Sequence, residues 1–108
     1  MVVLHEPMES PGTGKTAEAK KVFPAGRLFS HLMADTEEEL VAYAKIIGIP
    51  MKWIQNAGNP AKVHFDVTGR RMKAIQADPR VIKLTLRQWV DWKRARDNRI
   101  KAGLAEAA

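Results

Sequence analysis

Cysteine is absent from the 108 residues. That excludes a disulfide framework and any thiolate metal site, and it accords with a cytoplasmic setting. Long apolar runs are absent too: nothing approaches the ~20 residues of a membrane span, and Val2-Val3-Leu4 is too short for the apolar core of a signal peptide. A soluble, intracellular chain with no membrane partner is therefore expected. Internal repeats are missing, and the length leaves no room for a second independent core. What remains, 45% apolar and 28% charged residues with three Trp and three Phe, is the composition of an ordinary folded domain.

Acidic residues are scarce toward the C-terminus. Residues 1–79 hold ten Lys/Arg against nine Asp/Glu, whereas residues 80–108 hold eight against three, so most of the net charge of +6 belongs to the last segment. Any electrostatic argument for nucleic acid has to be made there.

Hydrophobic patterning predicts a small α/β domain over residues 22–101, preceded by an N-terminal strand and flexible loop in residues 1–21 and followed by a frayed tail in residues 102–108. Val2-Val3-Leu4 reads as a short buried strand, and Met8 to Lys21, rich in Pro, Gly, Thr and Lys, as a mobile loop. Arg27 to Ala34 is apolar on both faces, as an interior strand of a parallel sheet would be. Asp35 or Thr36 then caps a helix whose first turn carries Glu37, Glu38 and Glu39 and which Gly48 closes. Met51 to Gln55 reads as a second interior strand ended by the Asn56–Pro60 turn. Asp66 or Thr68 caps a helix to about Ala77 that buries Val67, Met72 and Ile75, and Asp78-Pro79 breaks it. Val81 to Leu84 is a last strand, Thr85 a cap, and Leu86, Trp89, Val90 and Lys93 a stripe on a terminal helix. The expected architecture is a two- or three-layer fold with a mainly parallel sheet of about four strands and three helices.

In such a sheet, ligands lie beyond the carboxyl ends of the strands. This gathers His31 to Asp35, Trp53 to Asn56, and the segment entering His64 and Asp66 at one edge. Two imidazoles and two carboxylates, His31, His64, Asp35 and Asp66, offer ligands that Zn, Mn or Fe accepts, with His31, His64 and Asp66 as the metal set; a bound divalent metal would then activate water for hydrolysis of the phosphoesterase kind. The leading reading needs no metal and has the hydrolase as its rival: Arg27 with Arg71 or Arg70 clamps a phosphate or carboxylate, Trp53 stacks on a base, and His31, Asp35, Gln55, His64 and Asp66 fix hydroxyls, giving a site for a small anionic, nucleotide-like ligand. Against both stands the plainer reading of buried histidines satisfied by their neighbours.

The blocks Gly26-Arg27-Leu28-Phe29-Ser30-His31-Leu32-Met33-Ala34-Asp35, Trp53-Ile54-Gln55 and His64-Phe65-Asp66-Val67-Thr68, in this order, resemble a short bacterial and phage family, the domain of unknown function family 4031. The resemblance spans about residues 22–90. It implies the α/β fold and the site positions, and by the family's distribution an accessory protein that sequesters a small molecule, in the host cytoplasm where a phage encodes it. The chain departs from the pattern twice. Leu4-His5-Glu6-Pro7 and a longer loop stand where the family has an Asp-containing segment, so no site residue is expected there, and Phe65 replaces a tyrosine.

Two further segments carry possible chemistry. Pro11-Gly12-Thr13-Gly14-Lys15-Thr16 is similar to a phosphate-binding loop, but Glu9 stands where glycine is needed and would repel phosphate. The C-terminal helix carries Arg87, Lys93, Arg94, Arg96 and Arg99 with Trp89 and Trp92 interleaved, a pattern that could lie along nucleic-acid phosphates or be a solvated face. Trp92, if exposed, would mark a protein or homo-oligomer contact.

Overall fold

The computed structural model describes residues 1–12 and 24–103. Most of the Met8–Lys21 loop, all of the phosphate-loop-like segment beyond Gly12, and the tail from residue 104 lie outside the described residues. Among the described residues, five strands and three α-helices follow in the order β1 (Val2–His5), β2 (Met8–Glu9), β3 (Leu28–Ala34), α1 (Glu37–Ile47), β4 (Phe65–Thr68), α2 (Gly69–Gln76), β5 (Val81–Leu84) and α3 (Leu86–Lys101).

Helix boundaries follow local chemistry. The Thr36 hydroxyl accepts from the Glu39 N–H at 3.2 Å, and the three glutamates of the first turn sit where the helix dipole favours negative charge. Gly48 ends α1 at φ 82°, a left-handed conformation that costs a residue without Cβ nothing. Before α3, Thr85 and Gln88 form a reciprocal capping box. Thr68 does occupy the N-cap position of α2, but its hydroxyl donates to the Leu28 carbonyl instead of capping the helix.

The sheet is mixed, not mainly parallel. β1 runs parallel to β5 (Val2 opposite Val81, His5 opposite Leu84) and antiparallel to β3 (Leu4 opposite Leu32), and β4 runs antiparallel along the other edge of β3. β2 continues the β1 side by pairing with Leu28 and Phe29. The strand expected at Met51–Gln55 is a 3-10 turn over Met51–Trp53 that follows Pro50, whose φ of −59° suits a turn, and only Gln55 bridges to His64. The place of that interior strand is taken by β4. Because β4 pairs directly with β3 across the α1 connection, antiparallel pairing replaces the parallel crossover.

Strand alternation separates two faces. On one, Val2, Leu4, Leu32, Ala34, Phe65, Val67 and Val81 form the main core with Leu40, Tyr43 and Ala44 of α1 and Met72 and Ile75 of α2. On the other, α3 crosses β1 and β5 and reaches β3, where Trp89 Nε1 donates to Met33 Sδ at 3.4 Å. The fold is thus three-layered, with helices on both faces.

Arg96 is the deepest tie of α3. It is fully buried, donating from Nη1 to the Ala34 carbonyl at 3.1 Å and from Nη2 to the Ala61 carbonyl, and its guanidinium lies 4.8 Å over the Trp92 ring. This corrects its expected place on a basic nucleic-acid face. Trp92 is accordingly half-buried instead of exposed, and Val90, expected to dock on the sheet, is 41% exposed. Replacing Arg96 by Met removes two buried hydrogen bonds and should cost about 2–4 kcal/mol, whereas Arg94→Met on the exposed face should stay within about 0.5 kcal/mol. Urea denaturation of the two variants checks this; equal effects would contradict the structural role of Arg96.

Candidate metal centre

The register of β3 on β4 sets His31 directly opposite Asp66. His64 lies two residues before Asp66 on the same face of the extended segment, held by the Gln55 bridge. His5, at the end of β1, comes from the opposite side. Its alternation with Val3 puts it on this face, whereas Val2 and Leu4 enter the main core.

Hydrogen bonding fixes the tautomers. His5 is 1% exposed, its Nδ1–H donates to the Glu6 carbonyl, and its Nε2 accepts from the His31 backbone N–H at 2.8 Å. The same bare Nε2 lies 2.8 Å from His31 Nδ1, so the proton between the two rings belongs to His31 Nδ1. His64 Nδ1–H donates to the Lys62 carbonyl at 2.7 Å. In both His31 and His64 the proton therefore points away from Asp66, and the bare Nε2 atoms face Asp66 Oδ1 at 3.4 and 3.3 Å. With both rings neutral that carboxylate oxygen, itself buried, receives no hydrogen bond. Three lone pairs thus converge, one from each residue, with all three atoms within 4.8 Å of one another.

Burial, and the positive charge of Lys93 with it, hold the His5 ring below its ordinary range; burial outweighs Asp66 and brings His31 down to about 4. For His64, burial pulls the same way but is outweighed by Asp66 and the Lys62 carbonyl, so its affinity for a proton is raised. A proton on His64 Nε2 is thus one way to satisfy Asp66 Oδ1, and a cation is another.

Trp89 closes the site from α3. Its ring stacks on His31 at 5.1 Å and 7° and meets His5 at 4.4 Å. Lys93 Nζ sits 3.7 Å over the Trp89 ring. Arg27 Nε donates to Thr68 Oγ1 at 2.9 Å, two residues beyond Asp66.

The other expected site residues are dispersed. Asp35 faces the Met1 amino group at 3.1 Å and Arg99 at 3.3 Å. Trp53 is exposed in the 3-10 turn with the Arg71 guanidinium 5.0 Å over its ring, and Arg71 also donates to the Gly48 carbonyl. Gln55 contributes its backbone bridge to His64. His5 was missed. Its signal was a polar residue ending an apolar strand, but only pairing with β3 shows what it touches. The carboxyl ends of the parallel pair β1 and β5 border a cavity of about 310 Å³, lined by His5 together with Leu4, Glu6, Leu84 and Gln88 among others.

The profile of the family described as "Protein of unknown function (DUF4031)" matches residues 18–95. The chain belongs to this family. Its matched region includes His31, His64, Asp66, Trp89 and Lys93 but leaves out His5. No curated protein and no solved structure matches the chain.

The ring environments set a pH dependence. His5 and His31 have lowered affinities for protons, so the stability they contribute as neutral rings is complete above the ordinary value of 6.5 and is lost as pH falls toward about 4. His64, with a raised value, acts in the opposite sense: its contribution is complete below 6.5 and declines as pH rises through its raised value. In chelator, the melting temperature should therefore fall between pH 6.5 and 4 more steeply in the wild type than in His31→Gln. Parallel melting curves would sink this account.

Proposed function

We propose that this protein binds a divalent transition metal through His31 Nε2, His64 Nε2 and Asp66 Oδ1, and that the metal serves hydrolysis. The observation that carries the reading is the convergence of three lone pairs, with the protons of both imidazoles directed elsewhere. Metal-bound histidines ordinarily donate their second N–H to a fixed acceptor, and here His5 Nε2 and the Lys62 carbonyl are those acceptors. Two imidazoles and one carboxylate suit Zn, Mn or Fe(II) and leave coordination positions for water and substrate.

Held by His31, His64 and Asp66, such a metal would supply an acidified water and polarisation of the substrate oxygen for hydrolysis of an ester, the elements of water going to the acid and the alcohol.

This reading stands ahead of a nucleotide-like ligand held without metal, because Asp35, Trp53 and Arg71 have other partners. It also stands ahead of nucleic-acid binding along α3. There Arg96 is buried, Arg99 pairs with Asp35, and Arg87 lies 3.9 Å from Asp91, leaving Lys93 and Arg94 as the remaining cations of that set.

Metal-stripped protein should take up one equivalent of Zn or Co(II) per chain by titration calorimetry. Uptake should be lost in His31→Ala, His64→Ala and Asp66→Ala. His5→Phe, which removes the acceptor for His31 Nδ1–H, should weaken uptake about 10- to 100-fold. Wild-type protein that retains no metal, or the three ligand variants binding as it does, would end the proposal. So would hydrolysis of a chromogenic ester panel that is indifferent to chelator.

A further inference from the structure

The substrate class of the proposed metal centre can be argued from the charges around it. A divalent ion held by two neutral imidazoles and one carboxylate keeps one unit of positive charge. Lys93 adds a second: its ammonium rests on the Trp89 ring, which in turn stacks on the ligand His31. A cation near a metal ion is repelled by it, and an anion lying between the two relieves that repulsion. The Trp89 face is what holds this one in place, offering π density where a carboxylate would neutralise it. Glu6, the acidic residue nearest His5 in the chain, is engaged elsewhere, accepting from the Leu86 N–H at 3.0 Å at the start of α3.

A second cation stands near the next rung on the same face of the β3–β4 ladder. Arg27 is exposed at the entry to β3, and Thr68 holds it by Nε alone. Thr68 is fixed by its own bond to the Leu28 carbonyl and lies two residues from Asp66 on the same face of β4, about 7 Å along the strand. The guanidinium is thereby held at the Phe29–Thr68 rung, the next on this face after the His31–Asp66 rung of the same ladder, and against Gly69, with a planar fork of donors suited to the paired oxygens of a tetrahedral oxyanion.

We propose that the centre acts on phosphate esters, the phosphoryl group lying between the metal, Lys93 and Arg27. This rests on the metal reading above and adds the ligand's chemistry to it. Hydrolysis then places hydroxide on phosphorus and breaks the P–O bond to the alcohol, which leaves protonated, with phosphate released.

Co(II)-loaded protein gives separate readouts for the two steps. Its visible absorption band reports metal binding, and the change of that band on titration with inorganic phosphate reports the anion. Expected results are a saturable phosphate response in the wild type, at least a tenfold weaker one in Lys93→Gln and in Arg27→Gln with Co(II) affinity unchanged, and recovery in Lys93→Arg. A normal Co(II) band that phosphate does not alter, or Gln variants that respond as the wild type does, overturns the phosphoryl assignment and leaves the metal reading standing. Absence of any Co(II) band overturns both.

Discussion

The pairing of β3 with β4 is the constraint on which the rest of the molecule depends. It sets Ser30 against Val67 and His31 against Asp66, so that one row of residues enters the core under α1 and α2 while the next row faces α3. Because side chains alternate along a strand, a slip of one residue would exchange the rows. Were β4 to slip against β3, Asp66 would point into the apolar core, and Phe65 and Val67 would face the opposite layer. The burial of those apolar residues therefore holds the register that assembles the polar site. Core and site are consequences of a single alignment.

The polar face has its own internal order. Burial of His5 forces both of its nitrogens to find partners, and the carbonyl of Glu6 takes one. What is left is an acceptor, which directs the proton on His31 inward and away from Asp66. With His31 and His64 both neutral, a chain of local hydrogen-bonding requirements thus ends in an oxygen with no donor, facing two bare nitrogens. Buried polar groups normally avoid that state, because low polarity makes an unpartnered acceptor costly. A stacked indole and an ammonium stand next to this cluster.

Several elements were readable directly from the chain. The Thr36 cap, the acidic first turn and the Gly48 stop depend on groups within a few residues, and so did the Thr85 box. The triad His31, His64 and Asp66 could be named because rare ionisable types stood on predicted extended segments. Asp35 looked equivalent in sequence, yet it lies just past the end of β3, where Met1 and Arg99 meet it. Met51–Gln55 misled for a different reason: its apolar and aromatic residues fit a strand, but Pro50 begins a tight turn and Phe65–Thr68 competes for the same edge of β3.

Arg96 marks the same limit from the other direction. On a helical stripe of cations it is indistinguishable from Arg94, and its charge argues for solvent. Only the crossing of α3 over the sheet brings the carbonyls of Ala34 and Ala61 within reach and buries it. By itself, then, the sequence determined the helix ends, the apolar rows and the small set of ionisable residues that make up the candidate site, because those depend on residue types and on neighbours along the chain. Tertiary structure alone decided that the sheet is mixed, that His5 stands behind His31 and that Arg96 lies inside, because each depends on which strands pair and which helix covers them.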